Sequence, residues 1–135
     1  MNNARYLNPQ ALFAPPGYSH VVEVSGPGRT IYIAGQIGAD RNFKIAGDPG
    51  DVRAQIIQAF ENLKLALAEV GATFKDVVKI NNYLLDVAHL KQFREVRDTY
   101  LNMAAPPAST LIVVSKLALD GLLFEIDAVA VLPAT

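Results

Sequence analysis

The 135-residue chain contains no cysteine. That excludes a disulfide framework, a thiolate nucleophile and a cysteine-bearing zinc site, and it fits a reducing compartment. Histidine is nearly absent as well. His20 and His89 are the only imidazoles, and their separation gives no metal-ligand spacing. Neither sign of charge dominates: the formal net charge is -1, so neither nucleic acid nor an anionic membrane surface is an expected partner. No apolar run approaches the roughly 18 residues of a membrane span. The opening MNNARYLNPQ lacks the basic-then-apolar order of a secretory signal. There is no Walker loop and no GxGxxG, and no cofactor or metal is implied. What is present is a core-rich composition, 51% apolar and 19% charged. The expectation is a soluble, cytoplasmic protein of one domain spanning residues 1–135.

The stretch PPASTLIVVSKLALDGLLFEIDAVAV, from Pro106 to Val131, organises the rest. Ala108 to Val114 reads as a strand, Ser115 to Gly121 as a loop, and Leu122 to Val131 as a second strand. Earlier, Met1 to Pro16 reads as an irregular extended arm because Pro9, Pro15 and Pro16 fix φ and remove donors. Val21 to Val24 and Thr30 to Ile37 read as strands around a Ser25-Gly26-Pro27-Gly28 turn. Gly35 inside the second of them marks a bulge or a close approach to the backbone. Gly38 to Gly47 is a loop or holds a short strand at Phe43 to Ile45. Asp48 then serves as N-cap and Pro49 as first residue of a helix carrying Val52, Ile56, Phe60, Leu63, Leu67 and Val70 at helical spacing, with Gly71 as its left-handed stop. Val77 to Leu85 is another strand. His89 to Met103 is a second amphipathic helix, with Leu90, Phe93, Val96 or Arg97, and Tyr100 on its inner face, and Pro106-Pro107 stop it.

The order β-β-α-β-α-β-β predicts an α+β fold, a mixed sheet with two long helices on one face. TIYIAGQI and LLFEIDAVAV carry apolar residues at both parities, so the second face also needs cover. With no helix left to supply it, self-association is the physical inference.

Glu125 is the residue that burial does not explain. A carboxylate between Phe124 and Ile126 must be solvated, paired with Lys79 or Lys116, or working in a cleft. Tyr18 and His20 join the arm to a strand. Arg94 and Arg97 on the second helix are either solvated or paired with Glu95 or Asp98. Ser109 and Thr110 lack the His and Asp partners, and the tight glycine-flanked turn, of an activated nucleophile.

Six segments together resemble the RidA/YjgF family of small Rid proteins: Gly17-Tyr18-Ser19, AGQIG (Ala34 to Gly38), the run from Ala54 to Ile80, FREVRDTYL (Phe93 to Leu101), PPAST (Pro106 to Thr110) and FEIDAVA (Phe124 to Ala130). The resemblance implies a chorismate-mutase-like homotrimer whose sheets form a central barrel, with small-molecule clefts at the subunit interfaces. It implies hydrolysis of reactive enamines or imines to ammonia and a keto acid. Glu125 would act near the attacking water, Tyr18 would share the catalytic site, and the Gly35 backbone, Ser109 and Thr110 would line the substrate. Where the family pattern has a carboxylate-binding arginine, this chain has Ala108, which cannot form a bidentate pair. Arg94 is the guanidinium that could stand in for it. Three functions follow: an imine or enamine deaminase of altered substrate range, a non-enzymatic metabolite-binding trimer, and an RNA-acting protein, the last opposed by the charge.

Overall fold

A computed structural model of the chain describes residues 3–134; Met1, Asn2 and Thr135 lie outside the described residues. Six strands and two helices follow in the order β1 (Ala4–Leu7), β2 (Val21–Val24), β3 (Gly28–Ile37), α1 (Val52–Glu69), β4 (Val77–Leu84), α2 (Leu90–Tyr100), β5 (Ala108–Val113) and β6 (Phe124–Pro133). The fold is α+β as expected, with one strand more than the pattern foretold.

That extra strand is β1. The arm is not wholly irregular, because Ala4–Leu7 pairs antiparallel with Val21–Val24 in a two-stranded ribbon. Its prolines all lie beyond Leu7, so nothing in Ala4 to Leu7 lacks a donor for the ladder.

The main sheet has the order β3-β6-β4-β5. β6 lies inside it and pairs antiparallel with both β3 and β4. β4 and β5 run parallel, joined through α2. Along β6 the side chains alternate strictly. Phe124, Ile126, Ala128 and Ala130 are buried, while Glu125, Asp127 and Val129 face the other way and are only partly covered. Both helices lie on the Phe124 side. The rings of Phe60 from α1 and Phe93 from α2 have centroids 6.2 and 5.5 Å from that of Phe124. Phe60 also stacks on Tyr100 at 5.0 Å and meets Phe74 at 6.2 Å. Ile56, Leu63, Leu67, Ile80, Leu84 and Ile126 complete a core in which none of them is solvent-accessible.

The opposite sheet face is uncovered within one chain. Tyr32 is 81% exposed there and Ile112 46%. Lys79, Asn81 and Tyr83 of β4 share that face with Glu125 and Asp127.

Strand ends shift by one or two residues from the pattern, and three boundaries differ for a definite local reason. Asp51, not Asp48, caps α1, its carboxylate accepting from the Ala54 amide at 3.0 Å. Gly50 at φ +88° cannot be helical, so Asp48-Pro49-Gly50 is a turn closed by Asp51 N–H to the Asp48 carbonyl. The second helix runs Leu90–Tyr100 rather than 89–103, because Leu101 is extended and the Asn102 side chain and carbonyl draw the following amides into a turn. The last strand starts at Phe124 rather than Leu122, since Leu123 N–H is taken by Gln55 Oε1 at 2.8 Å. Gly71 does adopt the left-handed conformation, at φ +78°.

Truncating Phe60 would leave a void among four other rings, those of Phe74, Phe93, Tyr100 and Phe124. Phe60→Ala is expected to destabilise the fold by about 3–5 kcal/mol, read as a lowered midpoint in urea denaturation. Asp51→Ala is expected to lose only about 1 kcal/mol.

Candidate functional site

The alternation of β6 decides where Glu125 goes. With Phe124 and Ile126 committed to the core, the carboxylate must emerge on the open face. There it lies against Gly35. β3 bulges between Ile33 and Gln36, and a Cβ placed on Gly35 would fall 1.9 Å from Glu125 Oε2. The close approach that a glycine in mid-strand foretold is the approach of this carboxylate. Glu125 makes no ion pair among the described residues. Lys79 instead donates to Thr110 Oγ1 at 2.8 Å, and Lys116 pairs with Asp120. Burial, and second the nearby Asp127 carboxylate, keep Glu125 protonated to higher pH than an ordinary glutamate. Asp127 is itself held by Asn81 Nδ2 at 2.8 Å and the Tyr83 hydroxyl at 2.9 Å. The hydrogen bond to Asp127 first, then burial, raises Tyr83 above the usual tyrosine value.

The bulge and the start of β6 are fastened from α1. Asn62 Nδ2 donates to the carbonyls of Ile37 and Ala39 at 2.9 and 2.8 Å. Gln55, wholly buried, donates to the Gly121 carbonyl at 2.9 Å and accepts from Leu123. Two neutral amides thus set both strand segments that carry Gly35 and Glu125.

A second group of candidates gathers on the helix side. Ser19 N–H donates to the Pro107 carbonyl and Ser19 Oγ to that of Pro106 at 2.6 Å, so Gly17-Tyr18-Ser19 runs beside the start of β5. Tyr18 packs edge-on against His20, whose ring is held by the Phe13 carbonyl at 2.7 Å. Tyr18, Arg94, Arg97 and Ser109 line a small cavity of about 70 Å³, with Phe93 and Leu90 behind them. Ser109 lies on the core side of β5, across from Ile80, and its Oγ accepts from Asn82 Nδ2 at 3.0 Å. Ala108 and Thr110 alternate to the open face beside Lys79 and Asn81.

The six-segment pattern therefore resolves into two groups on opposite faces of one sheet: Glu125 with Gly35, and Tyr18 with Ser109 and Arg94. Within one chain they do not meet. Arg94 is exposed at the cavity rim. The arginine that is buried is Arg97, at 6% exposure. The sequence carried a signal for it, because Leu90, Phe93, Arg97 and Tyr100 fall on one helical face and a charge at a core position is anomalous. Asn82 and Asp127 carried no comparable signal; their roles depend on cross-strand register.

Tyr100 closes the other side of α2. Its hydroxyl donates to Glu61 Oε2 at 2.6 Å, and burial first, then that bond, pushes its pKa up to about 12.

Gly35→Ala is expected to push the mobile end of the Glu125 side chain aside while the backbone holds. Far-UV circular dichroism should be unchanged and Tm should fall by a few degrees at most, whereas any ligand binding that depends on the Glu125 carboxylate should drop at least about ten-fold. Equal loss of fold and function would show that Gly35 serves packing alone.

Comparison with known proteins agrees with this fold. The model of the family described as Endoribonuclease L-PSP matches residues 9–132. A RutC family protein of Pyrococcus abyssi is 36% identical over 115 residues, covering 84% of each chain. A mouse protein named 2-iminobutanoate/2-iminopropanoate deaminase is 36% identical over 116 residues, 84% of this chain and 80% of that one. Among solved structures, a Rid family protein of Yersinia pestis superposes with a TM-score of 0.85 at 38% identity, over 96% of this chain and 99% of that one. RidA of an Antarctic Psychrobacter superposes at 0.69 with 30% identity, over 93% and 96%. With the family model matching almost end to end, and the same fold in a relative of this identity, the chain belongs to the RidA/YjgF family.

Proposed function

We propose that this protein hydrolyses a small imine or enamine, releasing ammonia and a carbonyl product. The observation that carries the reading is the Glu125 carboxylate, unpaired and partly desolvated, lodged over the Gly35 bulge. A carboxylate so placed accepts a proton from water well when ionised and returns it well when protonated. Water adds to the C=N carbon, the proton it loses passes to Glu125, and Glu125 delivers a proton to the departing nitrogen. The resulting carbinolamine then loses its hydroxyl proton to Glu125, which passes it to the amine as the C–N bond breaks, giving the carbonyl compound and ammonia. The named activity of the mouse relative is of this class.

The two half-sites on opposite sheet faces support a homotrimeric arrangement in which a cleft is shared between chains. Exposed Tyr32 and Ile112 on the open face are surface a neighbour would cover. Glu125 and Gly35 of one chain would then meet Tyr18 and Ser109 of another. Ala108 favours a substrate range different from that of relatives with an arginine on β5. It equally favours a second reading, a trimer that binds the same metabolites without turnover.

Both are tested by ammonia release from imines generated in situ, with Glu125→Gln as control. The expected loss is about 10²-fold or more. Identical rates for the two proteins across a panel of imines would eliminate the hydrolase, and saturable keto-acid binding without turnover would leave the second reading.

The pH dependence follows from the same group. Glu125 must be ionised to take the proton, and its pKa is raised, so the acid limb of kcat/KM should lie above the ordinary value of about 4.3. Asp127→Asn removes one cause of the rise and should move that limb to lower pH. Stability runs in the complementary direction. A raised folded-state pKa gives stability that is present below the unfolded value and lost as pH rises through the folded one. Glu125→Gln escapes that loss, so its Tm should exceed the wild type's at pH 7 and the advantage should vanish near pH 4. Thermal denaturation at the two pH values reads this.

A further inference from the structure

We propose that Arg97 is the anion anchor of the cleft, taking the carboxylate of a small organic acid from helix α2. The inference deepens the cleft reading above and rests on it.

Four polar side chains are buried among the described residues: Ser19, Gln55, Asn82 and Arg97. Ser19 and Gln55 are accounted for by backbone partners. Arg97 is the only one of the four that carries a charge, and a buried guanidinium must be compensated. Its compensation is incomplete. Nε and Nη2 both reach the same oxygen, Asp98 Oδ1, each at 2.9 Å, and the Asp98 side chain is 51% exposed, so water screens it. Nη1 has no hydrogen-bond partner among the described residues.

The guanidinium is nevertheless fixed. Its Cζ stands 5.7 Å from the centre of the Phe93 ring. It lies flat against Gly17, where a Cβ would fall 2.4 Å from Nη2 and 2.8 Å from Cζ. Gly17 has φ +90°, so the turn and the close approach both select glycine there. Arg97 is thereby held at the wall of the 70 Å³ cavity with Tyr18 and Ser109. Ser109 Oγ accepts from Asn82 and donates to nothing among the described residues, and the Tyr18 hydroxyl has no partner there either. Three residues with an uncommitted donor therefore line a space of roughly two water volumes, enough for a carboxylate. Leu90, Phe93 and Leu111 complete the wall and suit a short apolar tail. A planar, two-oxygen anion matches the free edge of a guanidinium whose other edge is occupied.

The test measures binding of 2-oxobutanoate, its methyl ester and inorganic phosphate to the intact protein by calorimetry, with ammonia release followed separately. Arg97→Gln should weaken 2-oxobutanoate at least about thirty-fold, with Arg97→Lys intermediate, and the ester should bind poorly to the wild type. Asp98→Asn removes the carboxylate charge that competes for the guanidinium and should tighten the acid about three- to ten-fold, an effect a purely structural ion pair would not give. A larger loss in Arg94→Gln than in Arg97→Gln, equal binding of acid and ester, preference for phosphate, or no binding of the acid would each overturn the anchor. If Arg97→Gln does not fold, Asp98→Asn decides, and absence of tightening sinks the proposal. Arg97-dependent binding without ammonia release would keep the anchor and remove the hydrolase. Ammonia release indifferent to Arg97 would do the reverse.

Discussion

The pleat of β6 is the constraint from which the site follows. This strand lies inside the sheet, hydrogen-bonded on both sides. Its even-numbered residues from Phe124 to Ala130 are buried under two helices. A strand has no freedom to redirect a single side chain, because a slip of one residue would turn the whole apolar set outward. Burying Phe124 and Ile126 therefore delivers Glu125 and Asp127 to the opposite face, two residues apart and side by side. The energy that orders the core also places Asp127 close enough to Glu125 to help raise its pKa.

What surrounds that pair is arranged from the helix layer. Gln55 and Asn62 of α1 use neutral amides to hold the loop before β6 and the end of β3. Neutral groups avoid the desolvation penalty of buried ions, and they leave the charge on the open face without a counter-ion. On the other side of the sheet the opposite choice is made, with a buried guanidinium held against Gly17. The chain thus carries an underneutralised anion on one face and an underneutralised cation beyond the other. A cleft shared between copies would bring them to one ligand.

The secondary elements were largely legible because periodicity and turn residues report burial directly. Even so, β1 was missed, since four residues beside a proline-rich loop carry too little pattern. The shift of the helix cap from Asp48 to Asp51 turned on Gly50, whose positive φ no helical position accepts. Glu125 and Gly35 were each anomalous in their own strands, one a charge in an apolar run and the other a glycine within a strand rich in β-branched residues. Those anomalies are one fact, the carboxylate resting on the glycine.

Composition and pattern by themselves determined the α+β class, the two helix faces, and the oddity of Glu125, because each depends only on periods of 2 and 3.6 along the chain. How the buried arginine is held was decided by tertiary structure. Helical phase already sets Arg97 with Leu90, Phe93 and Tyr100, but the packing of Gly17 against its guanidinium depends on a segment some eighty residues away in sequence. The same holds for Glu125. Its strand dictated that it leave the core, but the bulge of β3 and the neighbour Asp127, distant in sequence and adjacent in register, determined what chemistry its carboxylate can perform.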